Sequence, residues 1–407
     1  MRILIFIVFL GLIEWYAWQA IRHTGLYQVS WGRLALNILF WFLAGLTVFY
    51  FSWLNLVGSH TLPKMVEMII RTLVMANILG GLLLGVFMFL DDLRRLFTGI
   101  GSLVTNQAWH MPSRSAFMSN LALVIAGIPF VSLLYGAARN AYRYTLFRQK
   151  VPVHGLPQSL DGLRIVQISD IHSGSFYRET PIEKAISMIN DLEPDLVCFT
   201  GDLVNNEATE IEPYLEIFGQ IKAKYGVYSI LGNHDYGDYV RWPSQEDKKA
   251  NFARLCSHHH DLGWDLLRNE HRVVEVNGAR IGIVGVENYS AQLRFARYGD
   301  LKVADQGCPE VDFKLLLSHD PSHWHYEVTK DYQNIHLTLS GHIHGAQFGI
   351  EIPGFKWSPI EYIYKEWAGL YQDGEQYLYV NRGFGFLAYP GRVGILPEIT
   401  CLELQAV

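Results

Sequence analysis

Five short polar clusters in the second half of the chain each follow an apolar run. They read SDIH, TGDLVN, LGNHD, LSHDP and SGHIHG, and they supply Asp170, His172, Asp202, Asn233, His319, His342 and His344. Carboxylate and imidazole groups suit manganese, iron or zinc, and the lack of cysteine among them argues against a structural zinc site. Seven potential ligands are too many for one tetrahedral ion. They suffice for two octahedral ions that share a carboxylate, the geometry used for phosphoryl hydrolysis.

The apolar runs before these clusters predict buried strands. They lie at 163–169, 196–200, 227–231, 280–286, 313–318 and 335–340, and five of the six end in a polar cluster. Helical patterns occupy 180–192 and 211–224, the first with Thr180 as N-cap and Pro181 at its first position. Alternating strands and helices predict a layered α/β domain. Ligands of such sheets gather at the carboxyl ends of the strands, where these side chains can converge. His342 and His344 lie where the chain turns, so each can reach a different ion.

The first half of the chain is apolar and basic. Residues 1–150 hold 12 Lys and Arg against four acids, whereas the remainder holds 21 basic and 35 acidic residues. Four apolar runs, roughly 3–21, 34–57, 72–90 and 116–137, are long enough to predict transmembrane helices. The sequence therefore predicts a multi-pass membrane domain followed by a water-soluble domain. The acidic second half argues against nucleic acid as a partner.

The orientation in the membrane follows from the basic residues beside the spans. With four spans both chain ends lie on one side, which would carry seven basic residues: Arg2, Lys64, Arg71, Arg139, Arg143, Arg148 and Lys150. The other side would carry five: Arg22, Arg33, Arg94, Arg95 and Arg114. The excess predicts a cytoplasmic catalytic half. The four cysteines, widely spaced, are consistent with reduced thiols there.

Four features leave two interpretations open. Glu14 is either an interfacial acid beside an aromatic belt or a buried polar residue within a span. Gly81 and Gly85 either face lipid or let two helices approach closely. The aromatic-rich segment 355–372 is either core or an interfacial rim, since amphipathic rings favour the headgroup level. The HHH run at 258–260 is expected to be exposed in a polar helix rather than to bind metal.

The five clusters together resemble the calcineurin-like metallophosphoesterase family. The motifs D-x-H, G-D, G-N-H-D, a lone His and G-H-x-H occur in this order over roughly 160–405. The resemblance implies a layered β-sandwich flanked by helices, here behind a four-helix transmembrane domain. The expected division is a membrane domain at 1–138, a basic juxtamembrane linker at 139–158 and the phosphoesterase domain at 159–407.

Carried over to these positions, the family pattern implies two metal ions. One would be held by Asp170, His172, Asp202 and His344, and the other by Asp202, Asn233, His319 and His342. Asp202 would bridge the ions, together with a hydroxide that acts as nucleophile. His234 would contact the phosphate or protonate the leaving oxygen, with Asp235 orienting it. Manganese is the expected metal, with iron, zinc and nickel as alternatives.

Two further segments, LDGLRIVQISDIHSG and YVNRGFG…LPEITCLEL, resemble membrane-anchored phosphoesterases that include lipid-processing members. Some of those enzymes cleave the pyrophosphate of UDP-2,3-diacylglucosamine. The resemblance thus implies a phosphoesterase that acts on a lipid-linked phosphate or pyrophosphate, with membrane lipids as partners. The alternatives are a general phosphodiesterase tethered to the membrane, a transporter or receptor with a regulatory phosphoesterase domain, and a non-catalytic scaffold. The oligomeric state stays open.

Overall fold

The computed structural model describes residues 2–58, 61–105, 112–292 and 294–407. The side chains of the first residues of the chain and of 104–116 lie outside this description. The chain divides into two compact units, Met1–Ala138 and Arg139–Val407. The first unit is helical and the second contains the sheets, so each is described by itself.

The α-helices of the first unit follow the predicted apolar runs. They are α1 Arg2–Arg22, α2 Gly25–Gln28, α3 Ser30–Leu56, α4 Lys64–Thr105 and α5 Pro112–Tyr135. Within the described residues, three segments are long and apolar enough to cross a membrane: Ser30–Leu56, Lys64–Leu103 and Phe117–Asn140. The first predicted span, 3–21, lies in α1. The third extends well beyond 72–90, because α4 has 42 residues and is about 63 Å long at 1.5 Å per residue.

A polar cluster joins three helices of the membrane unit. The Asn77 amide donates to Glu14 Oε1 at 2.6 Å and to Thr47 Oγ1 at 3.2 Å, linking α4 to α1 and α3. Glu14 lies well inside α1, about 18 Å along the axis from its first residue. The buried interpretation of Glu14 is therefore the better one. Gly81 packs against α1, since a Cβ at this position would lie 2.9 Å from Ile13 Cγ2.

The second unit contains fourteen strands within the described part of the chain. They are β1 Thr145–Val153, β2 Arg164–Ile168, β3 Leu196–Phe199, β4 Val227–Ser229, β5 Asp265–Leu266, β6 Glu270–Val276, β7 Ala279–Gly285, β8 Phe313–Leu317, β9 Leu337–Ser340, β10 Ile350–Ile352, β11 Phe355–Trp357, β12 Gly369–Asp373, β13 Gln376–Val380 and β14 Glu398–Ala406. One sheet has the order β1-β14-β2-β3-β4-β5 and the other β12-β13-β9-β8-β7-β6, while β10 and β11 form a separate hairpin.

The two six-stranded sheets share one hydrophobic core. Ile165 and Leu196 from the first sheet belong to the same buried cluster as Ile281, Leu315 and Leu337 from the second. All six predicted strands are present, and β2, β3 and β4 pair in parallel, as do β7, β8 and β9. The expected β-sandwich is confirmed, because apolar strands buried on both faces need a second layer.

Part of the expected linker at 139–158 is a strand instead. Residues 145–153 form β1, which pairs in parallel with β14 along its whole length. The pairing satisfies backbone groups that a solvated linker would leave to water. The basic segment thus belongs to the edge of the first sheet over this range.

The remaining α-helices of this unit differ from the prediction in three details. They are α6 Thr180–Asn190, α7 Leu215–Phe218, α8 Gln245–Asp261, α9 Leu301–Asp305 and α10 Thr329–Asp331. Thr180 is not the N-cap, because the helix already includes it and Glu179 precedes it as cap. The helix predicted at 211–224 is wrong: it is a 3₁₀ turn at Glu212–Tyr214, which contains the proline, followed by the single turn of α7.

The third detail concerns the HHH run in α8. His258 and His259 are buried, not exposed as expected. His259 Nδ1 lies 2.9 Å from Ser229 Oγ, and His258 contacts Glu212 and Asp261. The run therefore anchors α8 to the sheet that it covers.

Candidate metal centre

The loops that follow the strands converge at the carboxyl ends of both sheets. Asp170, Asp202 and Asn233 follow β2, β3 and β4 of the first sheet, while His319 and His342 follow β8 and β9 of the second. Five predicted ligands have left-handed backbone φ angles: Asp170 at 53°, His172 at 47°, Asp202 at 61°, His342 at 73° and His344 at 52°. Such angles are uncommon outside glycine and cluster where function demands a particular geometry.

One group of three side chains lies between the two sheets. His344 Nε2 is 3.2 Å from Asp170 Oδ1 and 3.1 Å from His172 Nε2. All three residues are buried, and one atom from each lies within 4.8 Å of the other two. A carboxylate oxygen and two imidazole nitrogens that converge at this spacing can bind one divalent ion.

A second group lies beside the first. It consists of Asp202, His319 and His342, with His342 Nδ1 at 3.3 Å from His319 Nε2. The Asp202 Oδ2 atom is 3.2 Å from His319 Nε2 and 3.5 Å from His172 Nε2. One oxygen of Asp202 therefore lies close to both groups, the position expected of a carboxylate shared by two ions.

Two glycines let the backbone pass close to the carboxylates of Asp202 and Asp170. A Cβ on Gly232 would lie 2.2 Å from Asp202 Oδ1, and one on Gly341 would lie 2.2 Å from Asp170 Oδ2. Neither contact can be relieved by moving a flexible surface chain, because both carboxylates are buried. Glycine is thus required where the backbone passes the two acids.

Burial and charge shift the pKa values in this site strongly. Burial raises the pKa of Asp202, but the neighbouring imidazoles, His319 foremost, outweigh it and hold the pKa well below its usual range. Burial lowers the pKa of His319, yet the Asp202 charge prevails and raises it to about 10. His172 shows the opposite result, since burial keeps its pKa well below the usual value. Two buried carboxylates surrounded by imidazole rings form a site that favours cations.

Comparison with known proteins agrees with this geometry. Residues 1–141 match the family model described as a probable calcineurin-like phosphoesterase transmembrane domain, and residues 163–346 match that of the calcineurin-like phosphoesterases. A metallophosphoesterase of Bacillus subtilis, YkuE, is 30% identical over 260 residues, which cover 62% of this chain and 82% of that protein.

The chain belongs to the calcineurin-like metallophosphoesterase family. It is similar to a Danio rerio protein described as a transmembrane protein with metallophosphoesterase domain, which is 33% identical over 294 residues. That match covers 70% of this chain and 62% of the fish protein. The UDP-2,3-diacylglucosamine pyrophosphatase LpxG of Chlamydia muridarum is 30% identical over 274 residues, 56% of this chain and 79% of that protein.

Members of this family use a binuclear metal centre, and the donor set here fits one. The two groups supply two carboxylates and four imidazoles. Asn233 lies beside them, and its buried Oδ1 has no hydrogen-bond partner while its Nδ2 donates to the Tyr239 hydroxyl at 2.9 Å. An unpartnered buried amide oxygen is costly unless it has a ligand to bind. This free oxygen fits the prediction that Asn233 is a seventh ligand.

His234 is positioned by a backbone carbonyl. Its Nδ1 lies 2.8 Å from the Asn205 oxygen, which accepts a hydrogen bond from the ring N–H. This bond leaves Nε2 as the available nitrogen. The ring centroid lies 5.0 Å from that of His172, so the imidazole lies next to the predicted ligands.

Asp235 does not have the role that the sequence suggested. Its carboxylate accepts backbone hydrogen bonds from Asp202, Leu203, Val204 and Gly232 at 2.8–3.3 Å. Burial and the Asp202 charge raise the pKa of Asp235 to about 7, while the backbone donors oppose this rise. With both oxygens engaged by the loops, Asp235 orients the two metal-binding loops rather than the His234 ring.

Two residues near the centre were missed in the sequence. Asp320 Oδ2 is 3.4 Å from His342 Nε2, so the carboxylate holds the ring with Nδ1 toward the site. Arg392 is fully buried and donates to the carbonyls of Arg382, Gly383 and Gly385, with Nη2 3.3 Å from His344 Nδ1. Asp320 follows His319 directly, and that adjacency was the available signal. Arg392 lies between the two halves of the segment YVNRGFG…LPEITCLEL, and nothing in its local sequence indicated its contact with His344.

Proposed function

We propose that the chain is a two-metal phosphoesterase whose ions are held by the seven predicted residues. Asp170, His172 and His344 would hold one ion and Asn233, His319 and His342 the other, with Asp202 shared. The observation that carries this proposal is the position of Asp202 Oδ2, 3.2 Å from an imidazole nitrogen of one group and 3.5 Å from one of the other. Two divalent ions in such a site polarise phosphoryl oxygens and lower the pKa of water.

The protein's own residues supply orientation and a proton. The His319 ring N–H donates to the Thr200 carbonyl at 2.7 Å, which leaves Nε2 turned toward Asp202. His234 presents Nε2 beside the same site, where it can contact the phosphate or protonate the leaving oxygen. Asp235 holds the two metal-binding loops together, and Asp320 fixes the orientation of the His342 ring. These contacts hold the donors in place before the substrate arrives.

A lipid-linked phosphate or pyrophosphate is the proposed substrate, with UDP-2,3-diacylglucosamine as a model compound. The similarity to LpxG supports it, as do the apolar helices of the first unit. An apolar surface on the catalytic unit supports it as well. Phe355, Tyr362 and Ile363, at the β10–β11 hairpin and the turn that follows it, are exposed at 53%, 77% and 59%.

The hairpin is tied to the site region by two contacts. The Ser358 hydroxyl, just after β11, donates to the Gly345 carbonyl at 2.9 Å, next to His344. Glu351 on β10 accepts from Arg382 Nε at 3.0 Å. The segment 355–372 contains both core residues and exposed rings. Tyr364 and Trp367 are core, whereas Tyr362 faces solvent. We assign the exposed rings to contact with lipid headgroups.

Manganese is the proposed metal, since carboxylate, amide and imidazole donors suit it, and iron, zinc or nickel remain alternatives. We propose that the catalytic unit faces the cytoplasm, from the excess of basic residues on that side. Cys198 and Cys401 are buried and free, as reduced thiols would be in that compartment.

The test compares an acylated substrate with its deacylated headgroup, using the full chain with manganese in liposomes. The lipid proposal expects a higher kcat/KM for the acylated compound, because buried CH₂ groups add about 0.8 kcal/mol each to binding. Equal values would leave a general phosphodiesterase tethered to the membrane. Turnover of neither compound, with metal bound, would favour a regulatory domain of a transporter or receptor.

A further inference from the structure

An arginine lies close to the metal centre. The Phe295 ring meets the His342 ring edge-on, with centroids 4.6 Å apart. The Arg294 guanidinium lies over the Phe295 ring, 4.7 Å from its centroid. The loop thus places a permanent positive charge one side chain away from a predicted metal ligand.

Two tyrosines lie beside the same predicted ligands. The Tyr364 ring centroid is 6.0 Å from that of His342, which Phe295 also contacts, and the Tyr364 hydroxyl interacts with the Arg294 side chain. The Tyr239 ring centroid is 4.6 Å from that of His234. Tyr364 lies 3.3 Å from Asp320 Oδ2, and Tyr239 hydrogen-bonds Asn233 at 2.9 Å. Arg294 therefore lies near two hydroxyl groups, one that contacts the His342 partner Asp320 and one that contacts Asn233.

Arg294 differs from its neighbour Arg297. Arg297 lies over the Tyr289 and Tyr326 rings and donates to the Ser290 carbonyl, so its place is structural. Arg294 is exposed, and no acidic residue in the described ranges forms an ion pair with it. An exposed arginine that is held over a ring and has no acidic partner can bind an anion.

We propose that Arg294, with the hydroxyls of Tyr239 and Tyr364, binds a second phosphate of the substrate. This inference rests on the proposed function and narrows its substrate class to compounds with two linked phosphates. In the reaction, water adds to the reacting phosphorus, the anhydride P–O bond breaks, and two phosphate monoesters form with release of a proton. The departing phosphate gains negative charge, which Arg294 would stabilise through charge-assisted hydrogen bonds.

The experiment measures kcat/KM for a nucleoside-diphosphate sugar and for bis(4-nitrophenyl) phosphate, which has a single phosphorus. The variants are Arg294→Gln, Arg294→Lys and, as a matched control, Arg280→Gln. Arg280 is exposed at the amino-terminal end of β7, the end away from the site. We expect Arg294→Gln to lose about tenfold to hundredfold on the diphosphate, the usual effect of removing a charged hydrogen bond, and less than about threefold on the single-phosphorus compound.

The other outcomes distinguish failure of the second-phosphate site from failure of the proposed function. Arg294→Lys should recover part of the diphosphate activity, because the charge is kept, and Arg280→Gln should match wild type. Equal losses on both substrates, or no loss on either, would overturn the second-phosphate site while leaving the proposed function in place. Wild-type protein that is inert on both compounds and on the acylated substrate, with manganese bound, contradicts the proposed function, and this inference falls with it.

Discussion

Replacing Asp235 by Asn should loosen the metal-binding loops. Each carboxylate oxygen accepts two backbone N–H groups: Oδ2 from Asp202 and Gly232 at 2.9 and 2.8 Å, and Oδ1 from Leu203 and Val204 at 2.8 and 3.3 Å. An asparagine side chain can accept at one oxygen only, so its NH₂ group would face two N–H donors. Orphaning a buried donor costs about 1–3 kcal/mol. The expected loss of unfolding free energy is therefore about 2–6 kcal/mol.

The assay is thermal unfolding of the full chain in detergent, followed by manganese titration. A loss of this size lowers Tm by at least about 4 °C in a domain of this length. Metal affinity should fall too, because Asp202 and Asn233 lie on the loops released. Asp373→Asn, exposed at the end of β12, is the matched control and should change stability by less than about 0.5 kcal/mol. An Asp235→Asn variant with normal Tm and metal affinity but a slower proton transfer would refute this reasoning and restore the role of orienting His234.

Three other changes test separate parts of the account. His234→Ala should keep its metal yet lose about 10²–10⁴-fold in rate with alkyl leaving groups, and far less with nitrophenyl, which needs no proton; equal losses would indicate a purely positional role. Burial lowers the pKa of His259 to about 3, so the unfolded chain binds the extra proton first and stability falls from about pH 6.5 toward 3. His259→Gln should flatten that part of a Tm–pH curve, and an unchanged slope would count against it. Phe355→Ser should reduce turnover of a liposomal substrate but not of a water-soluble one; matched losses would place Phe355 in the fold instead of at the membrane.

The predictable part of the site consists of side chains that directly follow buried strands. Asp170, Asp202 and His319 could be placed because an apolar run ends just before each of them, and parallel strands bring their carboxyl ends to one edge. How these side chains are oriented toward one another depends on tertiary structure. The one oxygen of Asp202 that meets both groups depends on left-handed backbone and on Gly232, which sequence spacing does not reveal.

The errors share a physical cause, since each involves a contact distant in sequence. The segment 211–224 has helical periodicity, but the chain forms only two short turns there. His259 looks polar in its own segment and is buried because Ser229 lies opposite it. Residues 145–153 look like a linker until β14, some 250 positions later, supplies their hydrogen-bond partners. Local pattern carries no information about such partners.

The central claim is that two ions share Asp202. The most direct measurement is the manganese content and EPR spectrum of the purified full chain, wild type against Asp202→Asn and the terminal-ligand variant His172→Ala. We predict two manganese ions per wild-type chain with an exchange-coupled signal, loss of coupling and of turnover in Asp202→Asn, and a milder loss of turnover in His172→Ala. A wild-type chain that binds one ion, or an Asp202→Asn variant that keeps both the coupled signal and turnover, would contradict the assignment.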